Sequence, residues 1–83
     1  MIRLTPRLCR AARALLDWDQ SHLAVAAGVP RSTLMAFEAK RDDDARLMGA
    51  NNRLAVEAFE RAGLEFIPEN GGGAGVRMRE RRV

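Results

Sequence analysis

The chain holds one cysteine and one histidine in 83 residues. A lone Cys9 excludes an internal disulfide, and Cys9 with His22 is too short a ligand set for a closed zinc site. Cys9 falls inside a predicted helix, where it reads as a small apolar filler. His22 has no serine or cysteine triad context. Asp42, Asp43 and Asp44 are consecutive, so no regular element aims all three at one point. No enzyme, metal or cofactor is expected. No apolar run approaches the roughly 20 residues of a membrane span, and the opening MIRLTPRLCR is too rich in arginine for a secretion signal. A cytoplasmic protein is therefore expected. The cluster Gly71-Gly72-Gly73-Ala74-Gly75 lacks the following Lys-Ser or Lys-Thr pair and helix of a P-loop.

What is present suffices for one small domain. The net charge of +3 hides an asymmetry. Residues 1–41 carry seven basic side chains against three acids, and residues 77–83 carry four against one. Residues 42–76 carry three against seven. A basic first half with a basic end suits a polyanionic partner, although arginines on a solvated surface give the same count.

The most patterned stretch is 19–38, DQSHLAVAAGVPRSTLMAFE. It reads as a helix over 20–26, a turn at Ala27-Gly28-Val29 and a helix over 31–38. Gly28 sits where the chain reverses, and glycine tolerates the positive φ needed there. Val29, Leu34 and Phe37 point inward. A turn this short sets two helices at a steep angle, the helix-turn-helix arrangement.

Around it, Thr5 and Pro6 suit the N-cap and first position of a helix running to Leu16. Leu8, Ala12, Leu15 and Leu16 share its apolar face, with Arg7, Arg10 and Arg13 elsewhere. Asp19 caps the next helix, and Trp18 covers the core where the two helices meet. Residues 39–50 form a polar loop with a short helical turn expected at 45–48. Asn51 or Asn52 caps a helix reaching Ala62, which Gly63 and Leu64 end in a Schellman-type stop. Leu64 and Phe66 alternate with Glu65, and Val76 and Met78 with Arg77 and Arg79, the period of a strand with one wet face. An antiparallel hairpin is predicted. It must lean on the last helix or on the same ribbon of a second subunit. The expected organisation is a helical domain over 1–63, a hairpin over 64–79 and a basic tail over 80–83.

A helix laid in the major groove reads base edges with its N-terminal half and one outward stripe. Over 31–38 those positions are Arg31, Ser32, Met35 and Ala36. Arg31 is the strongest reader, because a guanidinium spans both guanine acceptors. Gln20 and Ser21 lie at a helix N-terminus suited to phosphate, with Thr33, Lys40 and Arg41 as further phosphate contacts.

The segment RAARALLDWDQSHLAVAAGVPRSTLMAFE resembles the Cro/C1-type helix-turn-helix domain of phage repressors and xenobiotic-response-element regulators. The matching residues are Gln20, Leu23-Ala24, Ala27-Gly28-Val29, Arg31-Ser32-Thr33-Leu34 and Phe37-Glu38. The end, AFERAGLEFIPENGGGAGVRMR, is similar to a small single-domain subgroup that finishes in a ribbon. The resemblance implies a mainly α, four- to five-helix, lambda-repressor-like domain that binds double-stranded operator DNA as a homodimer, most simply as a repressor. It implies phosphate contact at Gln20 and base reading at Arg31, Ser32 and Ala36. Pairing of two copies is expected through Leu64, Phe66, Ile67, Val76 and Met78 of the ribbon. Pro30 stands where the family places a Ser or Thr cap, and Lys40 where a glycine is usual. The same fold also serves antitoxins, so the alternative is a module that neutralises a partner protein through the ribbon or through GVRMRERRV, and autoregulates its promoter.

Overall fold

A computed structural model describes residues 1–41 and 43–81; the acidic position 42 and the last two positions of the basic tail lie outside the described residues. Four helices are followed by two strands: α1 (Pro6–Leu16), α2 (Gln20–Ala27), α3 (Arg31–Glu38), α4 (Asn51–Arg61), β1 (Leu64–Ile67) and β2 (Gly75–Met78). The mainly α composition with a terminal hairpin is as expected. Among the described residues there are four helices and no fifth. No described helix is long and apolar enough to cross a membrane.

Local chemistry explains most of the boundaries. The Thr5 hydroxyl accepts the Leu8 N–H at 3.1 Å, and Pro6 occupies a position whose N–H would lack a helical partner anyway. The Asp19 carboxylate accepts the His22 N–H at 2.7 Å and opens α2. Gly28, at φ 69°, closes α2 one residue later than its pattern suggests, donating to the Ala24 carbonyl at 2.9 Å. Pro30 begins α3 without a side-chain cap, as its chemistry requires.

Some expectations fail for identifiable reasons. Leu15 is 44% exposed rather than core. The buried stripe of α1 is Pro6, Leu8, Cys9 and Ala12, with the half-buried Arg13 beside it reaching Glu38. Residues 45–48 make no helical turn; the loop simply drops Leu47 into the core. Neither Asn51 nor Asn52 caps α4, whose N-cap is Ala50. Asn52 instead accepts the Leu4 N–H and donates to the Ile2 carbonyl, each at 2.9 Å, tying the N-terminal strand of chain to α4. That helix stops at Arg61, and Gly63, at φ 106°, turns the chain so that Leu64 folds back into the core.

The core is continuous: Leu4, Leu8 and Cys9 from the first segment meet Leu23, Val29, Leu34, Phe37, Ala55, Phe59 and Leu64. Trp18 sits half-buried where α1 gives way to α2, stacked between His22 (centroids 4.4 Å apart) and Phe59 (5.8 Å). The hairpin pairs Leu64 with Met78, Glu65 with Arg77, Phe66 with Val76 and Ile67 with Gly75. It rests on this chain's own α1 and α4, which supply the support that an isolated ribbon lacks.

Candidate nucleic-acid interface

α3 is amphipathic in the sense its pattern predicts. Leu34 and Phe37 are buried, while Arg31, Ser32, Met35 and Ala36 are all exposed. Among the described residues no carboxylate pairs with Arg31, in contrast to Arg7, Arg13, Arg53 and Arg77. The stripe thus offers one exposed guanidinium, one hydroxyl and two apolar contacts. Of the phosphate candidates, Ser21, Lys40 and Arg41 are exposed and Thr33 is half-buried.

Gln20 is placed differently. Its Nε2 donates to Glu38 Oε1 at 2.9 Å, so the amide nitrogen faces the protein rather than a groove. Glu38 is the centre of a buried polar node that sequence reasoning missed. Its side chain is only 3% exposed. Arg13 reaches it from α1 with two donors, Nε to Oε2 at 2.9 Å and Nη2 to Oε1 at 2.6 Å. The third Arg13 nitrogen, Nη1, donates to the Trp18 carbonyl at 3.0 Å. The Cys9 thiol is buried beside the Glu38 carboxylate. Arg10 Nη1 donates to the Glu38 backbone carbonyl at 2.7 Å, satisfying an acceptor left open at the end of α3.

The electrostatics of the node are mutually reinforcing. Burial alone raises a carboxyl pKa, yet the bonds from Arg13 and Gln20, the neighbouring Cys9 thiol and the Arg13 charge hold Glu38 below its ordinary value. The same Glu38 bond raises the Arg13 pKa against the opposing effect of burial. Burial and the neighbouring carboxylate push the Cys9 thiol well above its usual range. Cys9 is therefore an inert thiol, in keeping with its role as filler. The arrangement fixes both ends of the helix-turn-helix unit to α1: Gln20 from the start of α2 and Glu38 from the end of α3. A polar pair 25 residues apart carried one sequence signal, an arginine on a helix otherwise well supplied with them, and that signal is too common to single out.

Of the five residues expected to pair two copies, one is fully buried in this chain's own core and four are half-buried. Leu64 is 1% exposed and belongs to the core, while Phe66, Val76 and Met78 pack against that core from the same face. The alternation that marks a wet-and-dry strand is real, but its dry face is taken by α1 and α4. The outer face carries the Glu65–Arg77 ion pair at 2.6 Å and, of the five residues named for dimerisation, only Ile67. Of the segment GVRMRERRV, Gly75–Met78 forms β2. Arg79 donates through its guanidinium to the Glu60 carbonyl and through its backbone N–H to Gly63 at 2.8 Å.

Among the described residues, no three His, Cys, Asp or Glu side chains gather in a metal-binding group. The acidic loop is drawn to the first segment instead: Asp43 pairs with Arg7 at 3.5 Å, and Arg3 donates to the backbone carbonyls of Asp43 and Asp44, each at 3.4 Å. No known family model matches the chain, and no curated protein is similar enough to count as a relative.

Proposed function

We propose that this chain is a sequence-specific DNA-binding regulator of the Cro/C1 helix-turn-helix type, acting as a dimeric repressor. The observation that carries the reading is the state of α3. Its N-terminal residue Arg31 and the stripe through Ser32, Met35 and Ala36 are exposed, and its opposite side is locked by Leu34, Phe37 and the Glu38 node. A rigid helix with an unpaired guanidinium at its outer end suits insertion into a major groove. Arg31 and Ser32 read base edges by hydrogen bonds, and Met35 and Ala36 offer apolar contact to thymine methyls. Ser21, Thr33, Lys40 and Arg41 contact phosphates. Gln20 is a positioning residue that holds the start of α2 to the end of α3.

A helix of eight residues covers one half-site, so the reading includes a second copy and an inverted repeat. The molecule measures 34 × 28 × 19 Å, and two copies side by side can set their α3 helices about 34 Å apart, one turn of B-DNA. The test is selection of bound sites from a random duplex library. The expected result is an inverted repeat with half-sites about one helical turn apart. Enrichment of no sequence at all would sink the reading and leave a protein-interaction module in its place.

A further inference from the structure

We propose that Asn70-Gly71, at the tip of the hairpin, is a site of spontaneous covalent modification, where the asparagine amide is lost and a carboxylate replaces it. The site is independent of the DNA-binding reading, which gives the glycine loop no role.

The reaction needs only water. The backbone nitrogen of Gly71 attacks Cγ of Asn70, a new C–N bond forms, the bond to the side-chain nitrogen breaks, and ammonia leaves. Water then opens the cyclic imide at either carbonyl, leaving an aspartyl or an isoaspartyl residue at position 70.

The loop meets each requirement of that attack. The nitrogen must be unengaged, and among the described residues the Gly71 N–H, in a bend over 70–72, has no backbone partner. The approach to it must be open. Gly71 has no side chain, and a Cβ built there would meet nothing within 4 Å. Its φ of 99° is one that glycine adopts freely and other residues resist. The asparagine must also be free to turn toward that nitrogen. Asn70 is exposed, and among the described residues nothing hydrogen-bonds its side chain, whereas an asparagine that closes a turn is held by its own backbone.

The other two asparagines serve as an internal contrast. Asn51 and Asn52 lie in the first turn of α4 and are followed by residues with long or branched side chains, Asn52 and Arg53. Asn52 also has both ends of its amide bound, to the Leu4 N–H and the Ile2 carbonyl, each at 2.9 Å.

The fold tolerates the product. Seven residues separate Ile67 from Gly75, the outermost ladder pair, so the loop absorbs the extra main-chain methylene of the isoaspartyl form. The new carboxylate stands in solvent beside the exposed Glu69 and lowers the net charge of +3 by one. The modified chain therefore accumulates as a folded, more acidic species.

The experiment holds the full chain at neutral pH, native and in urea, and follows it by cation exchange and peptide mapping. A folded species that elutes earlier should appear, with aspartate and isoaspartate at position 70 and with Asn51 and Asn52 intact. The native rate should lie within about twofold of the rate in urea, because the bend gives no protection. Asn70→Gln, whose longer side chain cyclises far more slowly, should lose the new species. Asn70→Asp should elute with the aspartyl product and melt as wild type does. A native chain that keeps its Asn70 amide while the unfolded chain loses it would show that the loop protects the site, and would overturn the proposal. Earlier loss of the amide at Asn51 or Asn52 would overturn it equally. An Asn70→Asp chain that melts well below wild type would overturn the accumulation of a folded acidic form.

Discussion

Arg13 grips Glu38 with two donors, Nε at 2.9 Å from Oε2 and Nη2 at 2.6 Å from Oε1, across 25 residues of sequence. The pair is nearly dry, with the two side chains 17% and 3% exposed. It joins α1 to the last residue of α3, and Gln20 extends the link to the first residue of α2. α3 is thereby oriented by a charged clamp as well as by Leu34 and Phe37.

Removing one partner should be more damaging than removing both. Glu38→Ala leaves the Arg13 charge buried without compensation and is expected to destabilise the fold by about 3 kcal/mol, the lower end for a broken buried pair because Arg13 keeps some solvent. The double variant Arg13→Met with Glu38→Leu should recover much of that loss. Urea denaturation of the three proteins gives the comparison. Equal stability of Glu38→Ala and wild type would show that the pair contributes little.

The clamp also sets an acid limit. Glu38 ordinarily titrates near 4.5, and its folded value lies below that. A depressed carboxylate pKa gives stability that is present above the unfolded value and is lost as pH falls through the folded one. Melting temperature should therefore drop as pH is lowered below about 4.5, and the drop should be shallower in Glu38→Gln. Parallel curves for the two proteins would remove Glu38 from the explanation.

Gly28 offers a test confined to backbone geometry. Its φ of 69° is the left-handed conformation, and a Cβ added there would meet nothing within 4 Å. Gly28→Ala should cost about 1–2 kcal/mol, all of it from backbone strain. Gly28→Asn should cost less, since asparagine tolerates this region. Thermal melts that place alanine and asparagine level would argue against strain as the cause.

Arg31 separates reading from folding. It is exposed and unpaired among the described residues, so Arg31→Ala should leave the melting temperature unchanged. Against the selected operator it should cost about 1–3 kcal/mol of binding and relax preference at one base pair. A loss uniform across all duplexes would make Arg31 a phosphate contact instead.

The helix-turn-helix unit was legible because its signals are local. Gly28 fixes the turn, Asp19 the cap, and Val29, Leu34 and Phe37 the inward face, each by its own backbone or side-chain preference. The hairpin was legible for the same reason, through its period of two and its glycine turn. The identity of the ribbon's partner was not. An alternating strand states that one face is dry without stating what covers it, and here Phe66, Val76 and Met78 pack in part against this chain's own core. The asparagines at 51 and 52 misled in a similar way, since a side chain that caps locally can equally bridge Leu4 and Ile2 from across the molecule.

Sequence by itself determined which residues turn, cap and face inward, and so placed Arg31 and Ser32 on an outward stripe. Tertiary structure alone decided that Arg13 and Gln20 converge on Glu38. The physical reason is the range of the forces. Dihedral preference and hydrophobic period act within a few residues, whereas a charge finds its partner only after packing has brought distant helices together.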